Sequence, residues 1–318
     1  MSARLALLAA TAAALAAGPA AAERFNARNV QFLDVTGSIE VVTTGAGDEI
    51  EVVISQGKTN HPVLLSVDDA GLVTVRGEKW REEETRDCCN ERIRRTFEAR
   101  HGRTASTGAK VDEDFFADFP IIKVTMPRAG DVAFVDARMK LKMDAIDGAL
   151  NLDACYAYGE TGDVGAAVIG VLSGSRLVVG NVGSGLEIDV SGDADVMTGN
   201  AATVDVDIAG AGDVILGDID GMLDVSIAGS GAVRSTRLEG PLTARIAGSG
   251  VVAVKAGRAD RLRAVIDGSG MVYFDGAAVQ PDLKLYGSAE VRMGSLTGRI
   301  TRAGSGEVYV ADKLVPKD

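Results

Sequence analysis

The chain has 318 residues and a formal net charge of −12, from 45 acidic and 33 basic residues, and only 4% of its residues are aromatic. This acidic balance disfavours nucleic acid and anionic lipid as partners, because both carry negative charge themselves. Glycine is abundant (39 residues) and proline is sparse (7), which is typical of many short strands joined by glycine turns.

Residues 1–22 predict a secretory signal peptide. Arg4 precedes an apolar run from Leu5 to Ala17, and Ala20-Ala21-Ala22 provides an A-x-A cleavage site. The run is too short to cross a bilayer, so a membrane anchor is disfavoured, and we predict no membrane span in the mature chain. The mature chain should begin near Glu23, in the periplasm or at the cell surface. Loss of Arg4, the only charged residue of the segment, changes the net charge from −12 to −13.

Residues 23–76 predict an N-terminal β region that opens the main body of the protein. Runs of β-branched and aliphatic residues alternate there with polar residues, a period of two that indicates strands with one buried face. The predicted strands are Val30–Val35, Ile39–Val42, Glu49–Ser55, Val63–Val67 and Leu72–Val75.

Residues 77–119 interrupt this pattern with the charge-rich segment GEKWREEETRDCCNERIRRTFEARHGR, which predicts one short helix followed by a polar loop. Glu82 and Arg86 form an i,i+4 pair in the stabilising order, and Glu91 and Arg95 form a second. Two interpretations remain open, a helix that covers an exposed strand edge and a lid that binds a partner. Five aromatic residues in this segment favour the partner-binding lid. They are Trp80, Phe97, Phe115, Phe116 and Phe119.

Three cysteines, Cys88, Cys89 and Cys155, are candidates for a disulfide, which an exported protein can retain. We predict that Cys155 pairs with Cys88 or with Cys89, which leaves one thiol over. The sequence contains no C-x-x-C motif, and its only histidines are His61 and His101, so a zinc site is disfavoured.

Residues 120–312 contain a repeat with a period near nineteen, irregular between Lys123 and Leu186, and residues 313–318 form a tail. A glycine opens each GSG-like turn, and the residue four positions later is always valine. The glycines are Gly192, Gly210, Gly229, Gly248, Gly268, Gly287 and Gly304, and the valines are Val196, Val214, Val233, Val252, Val272, Val291 and Val308.

The repeat predicts an all-β fold, a parallel β-helix or β-solenoid in which each unit is one rung of about 19 residues. Each rung should contain two short strands, and the valines should stack as one buried column, since no rung can bury its own apolar face alone. The position two before each glycine is aliphatic except at Arg302, and it should form a second buried column. A propeller or a sandwich is the competing architecture, but nineteen residues are too few for a four-stranded blade.

The GSG turns do not predict a phosphate site, because GSGAVR at Gly229 lacks the third glycine of a dinucleotide fingerprint and precedes no helix. The turn serines also do not predict a nucleophile, since they recur from turn to turn and no histidine lies in the repeats. A stacked hydroxyl ladder explains them better. These serines are Ser230, Ser249, Ser269, Ser288 and Ser305.

Two outward columns, five and three residues before each glycine, place acidic side chains on one face. Like charges in register destabilise strand pairing, and a bound Ca²⁺ could relieve the repulsion, as could water, salt and the neighbouring basic residues. We predict no catalytic residue, no other metal and no cofactor. The speculative cation face consists of Glu187, Asp189, Asp205, Asp207 and Asp224.

Parallel β-helices often act on polysaccharides, and this class of enzyme is the alternative function. Hydrolysis of a glycosidic bond requires two carboxylates at a defined separation, and a lyase requires a base. The outward columns supply both kinds of residue, but the regular spacing marks no pair as special. The candidates are Asp205, Asp207, Asp224, Arg245 and Arg263.

The runs IAGAGDV, IAGSGAV, IAGSGVV and IDGSGMV resemble the head GIN domain family of proposed auto-transporter adhesins, a family of unknown function. The segments FLDVTGSIEVV, VVISQG and IKVTMPRAGDV extend the resemblance to residues 30 to 310. It implies a β-helical body with an envelope or surface role and no catalytic residues. The chain departs from the family in its insertion at 77–119 and shows no recognisable C-terminal translocator barrel. We therefore predict a non-enzymatic, adhesin-like interaction module whose partner is an unknown envelope protein or glycan.

Overall fold

The computed structural model describes residues 22–45, 47–59, 61–77, 113–172 and 174–316. The predicted signal peptide, apart from Ala22, and the predicted inserted helix therefore lie outside the described residues. Both stay predictions. The described end of the 77–119 insertion contains one 3-10 helix, Glu113–Asp118. Among the described residues no helix is long and apolar enough to cross a membrane.

Among the described residues, nine strands precede the regular repeats. They are β1 (Ala22–Asn26), β2 (Asn29–Leu33), β3 (Thr36–Thr44), β4 (Glu49–Ser55), β5 (Val63–Val67), β6 (Leu72–Gly77), β7 (Ile121–Pro127), β8 (Val132–Met143) and β9 (Ala149–Thr161). Strands β2 to β6 confirm the five strands predicted between residues 30 and 75, with shifts of a few residues at their ends.

The strands that follow build the repeats. They are β10 (Ala166–Leu172), β11 (Arg176–Val179), β12 (Val182–Gly192), β13 (Asp195–Thr198), β14 (Ala201–Gly210), β15 (Asp213–Ile219), β16 (Leu223–Gly229), β17 (Ala232–Glu239), β18 (Leu242–Gly248), β19 (Val251–Val254), β20 (Gly257–Ala259), β21 (Leu262–Gly268), β22 (Met271–Ala278), β23 (Pro281–Gly287), β24 (Glu290–Leu296), β25 (Thr301–Gly304), β26 (Glu307–Val310) and β27 (Lys313–Leu314).

The repeats form a β-solenoid, as predicted, because each strand pairs in parallel with the equivalent strand of the next rung. The first wall contains β10, β12, β14, β16, β18, β21, β23 and β25, and the second wall contains β11, β13, β15, β17, β19, β22, β24 and β26. A third, short parallel run was not predicted. It pairs Ile219 with Leu238 and Leu238 with Gly257, so the chain turns three times in each rung.

The predicted valine column is confirmed along the whole second wall. Each of the seven valines pairs in register with the next, from Val196 to Val308, and each is at most 1% exposed. Burial of one such side chain contributes roughly 1.5–3 kcal/mol, so the column is a large part of the apolar core.

Each GSG turn needs both of its glycines, for different reasons. Gly229 has a φ of 137°, and a Cβ there would lie 2.2 Å from the carbonyl oxygen of Gly210 in the rung before. Gly231 packs against Ile208, whose Cγ2 would lie 2.8 Å from an added Cβ. The serine between them is exposed, and its backbone N–H donates to Gly210 O at 2.9 Å. The turn is therefore a steric corner of the scaffold, as the repeat indicated.

A ladder of Asn and Asp side chains holds the corner after the second wall, and the sequence prediction missed it. Asn181 N donates to Asp163 Oδ1 at 2.7 Å, Asn200 N donates to Asn181 Oδ1 at 2.9 Å, and Asp218 N donates to Asn200 Oδ1 at 2.8 Å. Each side chain thereby satisfies a backbone donor one rung further on.

Antiparallel strands close the two ends of the solenoid. At the N-terminal end β1 pairs with β4, β4 with β7 and β5 with β6, all antiparallel, while β2 and β3 join the parallel stack. At the C-terminal end β27 folds back antiparallel onto β26.

In the last rung, the columns predicted from a constant offset to each marker glycine are wrong. Only 17 residues separate the last two marker glycines, and β25 therefore aligns Arg302 with Leu283 and Gly304 with Leu285. For the same reason Thr301, not Arg299, follows Asp282, and Ala303 follows Lys284. Arg302 thus points along a core column, where Nη1 donates to Val315 O at 3.2 Å and Nη2 donates to Gly306 O. A charge directed inward at an edge strand opposes the addition of a further strand.

Replacing Gly229 by alanine should lower the stability of the solenoid, because the new Cβ meets Gly210 O in a backbone region that alanine rarely adopts. We expect a loss of more than about 2 kcal/mol in the free energy of unfolding, measured by denaturant titration. Ser230→Ala, one residue away, is the matched control and should change stability by less than about 0.5 kcal/mol. Equal effects of the two substitutions would contradict the steric explanation.

Candidate functional site

The predicted acidic residues come together on the outward face of the first wall, which we call the charged face. Glu187 aligns with Asp205 and Asp189 with Asp207, on neighbouring rungs, and Asp205 aligns with Asp224 on the next. Residues in register on neighbouring rungs are separated by the strand spacing of about 4.8 Å. The inward residues between them, such as Ile188 and Val206, are buried in the core and fix the outward orientation.

Partial burial and the crowding of like charges raise the pKa of two of these carboxyls. The pKa of Asp205 is raised by partial burial and then by the charges of Asp224, Asp207, Glu187 and Asp189. The pKa of Asp189 is raised by partial burial, Asp207 and Glu187. Partial burial, followed by Asp136, also raises the pKa of Asp153 on β9, in register with Gly170. The like-charge repulsion predicted from the sequence is therefore present in the fold.

Basic residues occupy the same columns on the next rungs. Ser226 on β16 aligns with Arg245 on β18, and Thr243 on β18 aligns with Arg263 on β21. Lys284 on β23 follows Val265 in the same column as Arg245. The charged face is consequently divided into an acidic half on β12, β14 and β16 and a half on β18, β21 and β23 that we call basic. The basic half carries all the cations of the face, together with the carboxylates Asp267 and Asp282.

One ion pair crosses the boundary between the two halves, where Arg245 Nη1 donates to Asp224 Oδ1 at 2.6 Å. Among the described residues, the other four predicted carboxylates form no ion pair, and neither do Arg263 and Lys284. The unpaired carboxylates are Glu187, Asp189, Asp205 and Asp207.

The cation hypothesis gains no support from this geometry. Within the described part of the chain, no three His, Cys, Asp or Glu side chains are arranged to hold a metal ion. Carboxylates that stack in two parallel columns on a flat wall do not converge on one point, whereas Ca²⁺ requires about six to eight oxygen ligands around it.

The candidate enzymatic residues lie on the charged face, but they do not form a unique pair. Asp205 and Asp207 are two residues apart on one strand, while Asp205 and Asp224 face each other across a rung. Strand geometry separates the backbone positions of the first pair by about 6.6 Å and those of the second by about 4.8 Å, and the same two spacings recur along the face.

Sequence reasoning missed an apolar stripe on the outward face of the second wall. Val178 aligns with Met197 and Met197 with Ile215, and Val178 and Ile215 are exposed. The signal was present in the alternation of β11 and β13, where an apolar residue stands at an outward position.

Cys155 lies in β9 and is disulfide-bonded. Its candidate partners Cys88 and Cys89 lie outside the described residues, so the choice between them remains a prediction.

Comparisons with known proteins assign no family, since no family profile matches the chain and no curated protein matches it. Three solved structures match over 92% of this chain. A proposed adhesin from Parabacteroides distasonis ATCC 8503 is 16% identical with a TM-score of 0.46, over 92% of this chain and 97% of that one. A proposed lipid binding protein from the same organism is 15% identical with a TM-score of 0.41, over 92% and 97%. A proposed adhesin from Parabacteroides merdae ATCC 43184 is 16% identical with a TM-score of 0.31, over 92% and 96%.

Asp205→Asn should stabilise the protein at neutral pH, because it removes a carboxylate that the fold places between like charges. We expect a gain of roughly 0.5–1 kcal/mol in the free energy of unfolding, the scale of one unfavourable cross-strand pair. Since the folded state raises this pKa, it binds the proton more readily than the unfolded state does. The stability of the wild type should therefore rise as pH falls from 7 through the raised pKa, and less so in the variant. Asp220→Asn, an exposed carboxylate outside the charged face, should show neither effect; an unchanged or less stable Asp205→Asn would contradict the proposed repulsion.

Non-reducing peptide mapping should recover the Cys155 peptide linked to the peptide that contains Cys88 and Cys89. Fragmentation of the linked pair identifies which of the two is bonded, and an alkylating label should mark the other. Recovery of Cys155 as a free thiol from the exported, oxidised protein would overturn the prediction.

Proposed function

We propose that the chain is an exported, non-enzymatic β-solenoid that serves as an interaction module of the cell envelope or cell surface. The observation that carries the proposal is the charged face, an exposed and regular wall. Seven charged side chains of its two outward columns have no ion-pair partner among the described residues. The predicted signal peptide at residues 1–22 supports export.

The charged face is suited to binding rather than to one chemical step. Exposed charges arranged on a rigid scaffold steer a partner and fix its register, while they contribute little to the stability of the protein itself. The parallel stack fixes the backbone positions of these charges, so binding requires no ordering of the backbone. An extended wall of this kind complements another extended surface, such as a glycan chain or a second protein.

The proposal is tested by measuring binding of the mature chain, residues 23–318, to envelope fractions of its native host and to a glycan array. A variant with Glu187→Gln, Asp189→Asn, Asp205→Asn and Asp207→Asn neutralises the acidic half. We expect it to lose at least about tenfold in affinity for whichever component binds, as for other charge-dominated interfaces.

The control variant neutralises two carboxylates of the second wall, Asp195→Asn and Asp213→Asn, the second of which accepts a hydrogen bond from Arg234 at 3.3 Å. It should retain wild-type affinity. Absence of binding to any envelope component or glycan would contradict an interaction role. Equal loss in the two variants would show that binding does not depend on the charged face.

A polysaccharide-active enzyme is the second candidate, and the raised pKa of Asp205 is the observation that favours it. The general acid of a glycosidase has a raised pKa, and partial burial followed by neighbouring carboxylates raises the pKa of Asp205. A second carboxylate, Asp207, stands two residues away on the same strand. Incubation with uronate polymers, followed by assays for new reducing ends and unsaturated products, tests it. We expect no product; product that disappears in both Asp205→Asn and Asp207→Asn would replace our proposal with the enzymatic one.

A further inference from the structure

The cations of the basic half complement the carboxylates of the acidic half, and the unpaired members of the two sets stand on rungs that are separated by β16 and β18. Within the basic half, Arg263 is in register with Asp282 but forms no ion pair with it. Asp189 and Asp205 stand on β12 and β14, while Arg263 and Lys284 stand on β21 and β23. The pair Asp224–Arg245 lies at the boundary between the halves, on β16 and β18. The pattern of charge therefore reverses about the boundary.

Consider a second copy generated by a two-fold rotation about an axis that lies in the face, parallel to the strands and between β16 and β18. The faces of the two copies then lie against each other, and the acidic rungs of one copy oppose the basic rungs of the other. The rotation reverses the order of the rungs and keeps the position along each strand. Strand β14 then faces β21 and β12 faces β23, so that Asp205 opposes Arg263 and Asp189 opposes Lys284 of the other copy. Every such contact occurs twice, as in any isologous interface.

We propose that the charged face recognises a second copy of this chain, docked face to face with its rungs in reverse order. This inference rests on the proposed interaction role and names its partner. The interface would join four pairs of charges that have no ion-pair partner among the described residues of one chain. Asp205 and Asp189, which are crowded by other carboxylates in the single chain, would each gain a cation.

The area of the face is sufficient for a dimer. Six rungs at about 4.8 Å and strands of about seven residues at about 3.3 Å give roughly 650 Å² for each copy, or about 1,300 Å² in total. This lies within the range of specific protein interfaces. The outward column beside the GSG corner adds exposed apolar atoms from Ala209, Ala228, Ala247 and Tyr286. The charged columns supply the specific contacts, so the association should be charge-dependent and reversible.

Two features oppose the association and limit its strength. The chain carries a net charge of −12, so two copies repel each other at long range. Glu187 would also oppose Asp282, two carboxylates, at the end of the interface. Salt screens the attractive and the repulsive contributions alike, so ionic strength alone cannot identify the contacts.

Charge reversal at one contact tests the proposed geometry. Asp205→Lys places a lysine against Arg263 of the other copy, and Arg263→Glu places a glutamate against Asp205. Each variant alone should therefore self-associate at least about tenfold more weakly than the wild type. Sedimentation velocity over a concentration series measures this association. Lys255→Glu, which makes the same charge change as Arg263→Glu at an exposed position outside the charged face, is the matched control and should dimerise as the wild type does.

Mixing the two weakened variants decides the pairing. In a mixed dimer, the lysine introduced by Asp205→Lys in one copy opposes the glutamate introduced by Arg263→Glu in the other. At the symmetric contact the native Arg263 opposes the native Asp205. We expect the mixture to recover wild-type association, and the double variant Asp205→Lys, Arg263→Glu to recover it as well. Circular dichroism verifies that each variant is folded before the comparison.

A wild type that is monomeric at every concentration would overturn the inference, as would a mixture that stays as weak as its components. Either result would leave the proposed function intact if the same protein still binds an envelope component through the acidic half. Loss of both self-association and envelope binding would refute the two together.

Discussion

Parallel in-register stacking is the constraint on which the rest of this structure depends. Neighbouring rungs lie about 4.8 Å apart and share hydrogen bonds along each wall, so a residue at one position stands directly over the residue at the same position of the next rung. Every choice of side chain is consequently repeated as a column. Apolar columns such as the one from Val196 to Val308 provide the core, and stability comes from neighbours because a single rung has no interior.

The same constraint decides what the corners and ends must contain. At the GSG corner the backbone of one rung passes so close to the next that a Cβ at Gly229 would overlap Gly210 O, and glycine must therefore stack on glycine. At the opposite corner, polar side chains replace the missing strand pairing, as Asn181 and Asn200 do for the backbone N–H of the following rung. The stack ends where a column is broken, and Arg302 breaks it with a guanidinium that binds two backbone carbonyls.

The solenoid could be predicted from the sequence because in-register stacking requires similar residues at nearly equal intervals along the chain. The valine that recurs in every rung marks this interval. Prediction was wrong where the period changes: the 17-residue last rung shifts the register by two, so that Arg302 falls in the column of Leu283. It missed the third run and the Asn and Asp ladder because both occupy the most variable part of each rung. The dipeptides Gly180-Asn181 and Gly199-Asn200 could have indicated this ladder, because they recur 19 residues apart. The charges of the candidate site were predicted in their columns, but exposure and ion pairing depend on neighbouring rungs and required the structure.

In-register stacking also makes the order of acidic and basic residues on the charged face informative. A solenoid could separate like charges simply by alternating acidic and basic residues from rung to rung, and each in-register pair would then contribute favourably. This chain instead places Glu187, Asp205 and Asp224 in one run and its cations on later rungs. Partial burial raises the pKa of Asp205, and the charges of this run raise it further. Because a simple permutation of residues would remove this repulsion, the segregated pattern supports the proposed binding role. Because alternation would satisfy the charges within one chain, segregation leaves them available to a surface that carries the complementary order.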